Sequence, residues 1–196
     1  MEISGLTKRF GTTSVLDHLN LTLPDGVTTV IMGPSGSGKT TLANILLGLL
    51  PPDAGTVTGL AGARLAAVFQ EDRLCEHLSA VANVRLVLDD GAHRQRPDAV
   101  RAELAAVGLA GEDLTKPVAQ LSGGQRRRVA IVRAMMAHAD LTVLDEPFKG
   151  LDEETKDRVM GHVRDRLAGR TALLITHDPV EAARFDGPHV SLGGPR

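Results

Sequence analysis

Val27-Thr28-Thr29-Val30-Ile31-Met32, then Gly33-Pro34-Ser35-Gly36-Ser37-Gly38-Lys39-Thr40, then the apolar stretch Leu42 to Leu49: these three runs follow one another without a break. The first is β-branched and reads as a buried strand. The last has helical character and ends at Pro51-Pro52. Between them lies the full pattern G-x-x-x-x-G-K-[ST], placed where its mechanism needs it, between strand and helix. Glycines let successive backbone N–H groups converge on phosphate oxygens without Cβ clashes. The helix that follows turns its positive end toward the same phosphates. Lys39 supplies a point charge for the β- and γ-phosphates, and the Thr40 hydroxyl can ligate Mg²⁺. Residues Gly33, Ser35, Gly36, Ser37, Gly38, Lys39 and Thr40, with the adjoining Thr41, are the candidate contacts for a nucleoside triphosphate such as ATP.

Outward from this loop, strands alternate with helices. Residues 2–10 and 15–23 read as strands joined at Gly11-Thr12; Leu19, Leu21 and Leu23 alternate with polar residues. A short strand is expected within the turn-rich Gly55 to Gly62, and an apolar strand over Leu65 to Phe69. Helices are predicted over 79–88 and 97–107, separated by the polar segment Asp89–Arg96. Then come a helix at 123–138, a buried strand at 141–145, a helix at 153–168 and a strand at 171–175. A short helix near 179–185 and a strand at 189–192 close the series. This alternation implies an α/β fold with a mostly parallel sheet covered on both faces. The stretch from about 78 to 118 has helices without strands and reads as a helical lobe inserted into a core of about 1–77 and 119–196, all within one domain.

Composition narrows the partners. The 196 residues are 42% apolar and 23% charged, with a formal net charge of -2, ordinary for a globular chain with one full core. That balance gives no overall electrostatic reason to bind nucleic acid or an anionic membrane. Tyr and Trp are absent and only four Phe occur, so the core must rest on Leu, Val, Ile and Ala. Cys75 is the only cysteine, which excludes a disulfide within the chain and a Cys-rich zinc site. No apolar run reaches the length of a membrane span, and Met1-Glu2-Ile3-Ser4 lacks the form of a signal peptide. The expected location is the cytoplasm.

Leu141-Thr142-Val143-Leu144-Asp145-Glu146 is an apolar strand ending in two carboxylates. In phosphate-loop enzymes an Asp at a strand end holds Mg²⁺, and an adjacent Glu can polarise the attacking water as general base. Leu121-Ser122-Gly123-Gly124-Gln125 adds a hydroxyl and two glycines at a helix start, a second anion-binding arrangement. This run resembles the signature motif of the ATP-binding cassette (ABC) ATPases. The resemblance implies a RecA-like core with N-terminal antiparallel strands and an inserted helical subdomain. It further implies a head-to-tail dimer in which each ATP lies between one chain's phosphate loop and the other's signature.

Other landmarks follow in order. Gln70 resembles the family's glutamine that reaches Mg²⁺ and water, joining Thr40 and Asp145 as metal-site residues. Gly150-Leu151-Asp152 matches the segment that communicates between the two ATP sites, through Asp152. His177 resembles the switch histidine at the γ-phosphate, and Phe10 the aromatic platform under adenine. Glu146, His177 and Gln70 are the expected catalytic set. Arg126-Arg127-Arg128 follows the signature on a helix and reads as a solvated face, as such charge runs usually are; no aromatic residue interleaves it, and nucleic acid is not an expected partner.

Val68-Phe69-Gln70-Glu71-Asp72-Arg73-Leu74, with Ala82-Asn83-Val84, resembles the compact cassettes of bacterial nitrate, sulfonate and taurine importers. Cys75-Glu76-His77 stands where those place an apolar stretch with an aromatic residue. The segment between Gly55 and Gln70 is short for the family, and no separate regulatory domain is expected after His177. The implied partners are transmembrane permease subunits, received by residues about 71–88, a second cassette (identical or paired), and a solute-binding protein. The cassette would then sit on the inner face of the cell membrane. Alternatives are an exporter subunit, or a cassette ATPase acting on nucleic acid, which in this family carries two cassettes or large insertions.

Overall fold

The computed structural model describes residues 1–88 and 97–193; the polar segment expected over Asp89–Arg96 lies outside them. The chain forms two compact units.

The first unit comprises Met1–Ala67, Ala139–Glu146 and the chain from Leu167 onward. Its antiparallel sheet has the order β2-β1-β4, with β1 at Glu2–Phe10, β2 at Thr13–Thr22 and β4 at Ala54–Thr58. Its second sheet runs β5-β6-β7-β3-β8: Leu65–Val68, Leu141–Asp145, Ala172–Ile175, Thr28–Met32 and His189–Ser191. The β3–β7, β3–β8 and β6–β7 pairs are parallel. Strands β6 and β7 are buried at every position, which is why they read as continuous apolar runs rather than alternating ones. Leu6, Leu23, Ile31, Leu42, Leu141 and Leu173 belong to one aliphatic core.

Helix α1 spans Lys39–Leu46, beginning three residues before the apolar stretch that signalled it. Its bonding starts at Gly38, whose carbonyl accepts from the Leu42 amide at 2.8 Å. The loop's Lys and Thr therefore stand on the helix's first turn.

The second unit comprises Val68–His138 and Pro147–Arg166. It contains α2 (Ala80–Arg85), α3 (Pro97–Ala106), α4 (Gly123–Met136) and most of α5 (Glu153–Leu167). Ser79 caps α2, its hydroxyl accepting from the Ala82 amide at 3.2 Å. Asn83, fully buried, bonds both the N–H and the carbonyl of Cys75 and also the carbonyls of Leu78 and Ser79. One amide thus satisfies the backbone of the turn that enters α2.

Candidate nucleotide site

In the first unit the phosphate loop joins β3 to α1. Gly33 has φ +150°, and a Cβ there would lie 2.4 Å from the Leu192 carbonyl oxygen. Gly38 has φ +93°, with Leu16 and the Val15 carbonyl 2.8 Å from the same construction. Both positions need glycine for close approach as well as for conformation. Lys39 is buried, and its Nζ donates to the carbonyls of Gly33 and Pro34, each at 2.8 Å. The ammonium is thus held over the loop. The Ser37 hydroxyl is buried without a hydrogen-bond partner among the described residues, an orphaned polar atom inside a loop built to meet phosphate oxygens.

The Thr40 hydroxyl donates to Asp145 Oδ2 at 2.8 Å. Asp145 ends β6 and is buried, while Thr40 is exposed. A hydroxyl beside a carboxylate is a hard-oxygen donor set of the kind Mg²⁺ takes. Among the described residues no three His, Cys, Asp or Glu converge on a point. The pair thus fits a cation that keeps water and substrate oxygens as its remaining ligands.

Glu146, the next residue, has φ +48°. That left-handed conformation is costly for a side chain with a Cβ. It is held by the Glu146 amide donating to the Ile175 carbonyl at 2.9 Å. The backbone turns so that the Glu146 carboxylate meets His177 Nδ1 at 3.1 Å. His177 follows β7, and its neighbours are fixed: the Thr176 hydroxyl donates to Glu181 at 2.5 Å, and the Asp178 amide donates to the Thr176 hydroxyl at 3.1 Å. Lys39, Thr40, Asp145, Glu146 and His177 thus gather at the carboxyl ends of β3, β6 and β7, where open parallel sheets place ligands. Phe10, at the end of β1, is 51% exposed, and Lys8 Nζ lies 5.8 Å from its ring centre.

Gln70, Leu121–Gln125 and Asp152 lie in the second unit. Ser122 caps α4: its hydroxyl accepts from the Gln125 amide at 3.2 Å, and its own amide donates to Gln125 Oε1 at 2.8 Å. This reciprocal box leaves Gly123 and Gly124 in the first turn. Gln125 Nε2 donates to Asp113 at 2.6 Å. Asp152 accepts from the Thr155 amide at 3.0 Å ahead of α5. That backbone bond, first among the causes, holds the Asp152 carboxyl below the usual carboxylate value. Gln70 is exposed.

The arginine run departs from the solvated face expected of it. Arg127 is buried and donates to the carbonyls of Phe69 and Gln70. Arg128 donates to those of Gly124, Val107 and Gly108, and Arg126 to that of Leu121. The signal was present in the helical period. Position 127 shares a stripe with Ala130, Ile131 and Ala134, all buried.

The family model described as ABC transporter matches residues 16–149. The chain is 43% identical over 189 residues to the aliphatic sulfonates import ATP-binding protein SsuB 1 of Nocardia farcinica, covering 94% of this chain and 74% of the relative. It is 39% identical over 206 residues to the taurine import ATP-binding protein TauB of Escherichia coli O157:H7, covering 100% of this chain and 80% of that one. Among solved structures, it is similar to the dimeric post-hydrolysis state of the ATP-binding cassette MJ0796 bound to ADP and Pi. That match has a TM-score of 0.85 and 27% identity, covering 100% of this chain and 96% of the other.

Proposed function

This chain belongs to the ABC transporter family, and from that premise we propose how its residues hydrolyse ATP and what they drive. The observation that carries the proposal is the series at the carboxyl ends of the parallel strands, Thr40 bonded to Asp145 and Glu146 to His177.

Phe10 stacks on adenine. The loop amides from Gly33 to Gly38, the hydroxyls of Ser35, Ser37 and Thr41, and the Lys39 ammonium receive the phosphates. Lys39 exchanges its two carbonyl partners for the β- and γ-phosphate oxygens, so the positive charge moves only a short way. Thr40 and Asp145, with Gln70, would hold Mg²⁺, which would supply positive charge against that developing on the transferred phosphoryl group. Glu146 accepts the proton of the attacking water as general base, and His177 fixes the Glu146 carboxylate while contacting the γ-phosphate. Ser122 and Gly124 of a second cassette complete the site in a head-to-tail dimer, supported by Leu121, Gly123 and Gln125, with Asp152 linking the two sites.

The helical lobe of about 78–118 is proposed as the subdomain inserted into the core. Residues about 71–88 would receive the permease at the inner face of the membrane. Among the described residues, no helix is long and apolar enough to cross a membrane. The similarity to sulfonate and taurine import proteins supports an importer of small sulfonate-type solutes, fed by a solute-binding protein.

The direct test is Glu146→Gln. It is expected to keep ATP affinity within about twofold and to lower turnover by about 10²-fold or more. Phosphate release and nucleotide binding measure the two. Turnover at the parental rate would remove Glu146 as the base.

A further inference from the structure

Every polar edge of the Arg127 guanidinium faces one short segment. Nη1 donates to the Phe69 carbonyl at 2.5 Å, Nη2 donates to the Gln70 carbonyl, and Nε stands 3.3 Å from Asp72 Oδ1. The last is a charge contact rather than an aligned bond, since that oxygen has no hydrogen-bond partner among the described residues. Arg133, farther along α4, donates to the carbonyls of Arg73 at 3.0 Å and Asp72 at 3.4 Å. The Arg73 guanidinium in turn lies 3.9 Å over the Phe69 ring. Four of the five backbone carbonyls from 69 to 73, all but that of 71, are therefore held by side chains of one helix.

A planar fork that binds two consecutive carbonyls fixes the orientation of both peptide planes. The planes in question flank Gln70, so they set the direction in which its side chain leaves the backbone. Burial makes the constraint stiff, because a buried guanidinium that lost these acceptors would stand desolvated and unsatisfied. Arg127 also lies on the helix that Ser122 opens.

We propose that Arg127 is a positioning residue for ATP hydrolysis: it sets Gln70 and ties that segment to the helix carrying Ser122. The proposal rests on the role assigned above to Gln70. Lysine cannot replace it in full, since a single ammonium does not reproduce the fork.

The test uses the full chain with ATP and Mg²⁺, comparing Arg127→Gln, Arg127→Lys, Gln70→Ala and the double variant Arg127→Gln/Gln70→Ala. Arg127→Gln is expected to lower kcat on the order of 10- to 100-fold through misplacement, with KM for ATP within about twofold of the parent. Arg127→Lys should fall between it and the parent. Because Arg127 acts through Gln70, the double variant should be no slower than Gln70→Ala. If Arg127→Gln fails to fold, as read by thermal unfolding, Arg127→Lys replaces it in the same cycle. Losses that multiply in the double variant would overturn the proposal alone, as would a changed KM with unchanged kcat. Parental kcat in Gln70→Ala would refute the role of Gln70, and this proposal with it.

Discussion

At the scale of single residues, what a sequence reveals depends on how far apart the partners lie. Lys39, Thr40, Asp145, Glu146 and His177 announced themselves because each sits at a strand end or in a dense local pattern. Arg127 did not, since its acceptors lie 58 and 57 positions away. Nor did the bond of Lys8 to Asp53, which spans 45. Neither pair leaves a local trace beyond helical or strand period. Phe10 is the plainest residue to test. Its half-exposed ring has little packing to lose, so its removal reports on stacking. Phe10→Ala is expected to weaken ATP binding by about 1–3 kcal/mol with little change in thermal stability. Calorimetric titration gives the first, a melting curve the second, and equal ATP affinity would sink the stacking role.

Elements were legible where period and punctuation agreed. Strands β6 and β7 and helices α4 and α5 follow from apolar runs or stripes bounded by caps. Boundaries moved where backbone chemistry, not side-chain hydrophobicity, starts the element, as at α1. The pairing of β4 with β1 was beyond the local pattern, because register belongs to two strands at once. Asp53 helps to define that pairing. Its carboxylate accepts from Lys8 Nζ at 2.8 Å and from the Arg9 amide at 2.7 Å, joining the entry of β4 to β1. The Lys8 hydrogen bond, then the Arg9 amide, lower the Asp53 carboxyl below 3.8. A depressed carboxylate stabilises the fold above its unfolded value and loses that contribution as pH falls through the folded one. Asp53→Asn should therefore melt below the parent at pH 7. The gap should close as pH drops from 3.8 into more acidic solution; a gap independent of pH would contradict the ion-pair origin.

For the whole molecule, the phosphate loop and the Ser122 helix belong to different compact units, and the proposed dimer supplies each ATP with one of them from either chain. A mixing experiment isolates that claim. Lys39→Ala and Ser122→Arg chains should each be inactive alone. Together they should regain activity, because a mixed dimer contains one site with both wild-type halves. Absence of recovery in a mixture that forms dimers would exclude sharing between chains. Stability and chemistry also meet at Glu146. Its left-handed backbone costs on the order of 1 kcal/mol for any residue with a Cβ, and glycine escapes that cost. Alanine ordinarily outranks glycine in stability by about 0.4–1 kcal/mol. Here the order should reverse, with Glu146→Gly melting above Glu146→Ala although both discard the same carboxylate. A thermostability screen run without an activity readout would then drift toward inert chains at this position. A family relative carrying glycine there would be a robust fold that had given up its reaction.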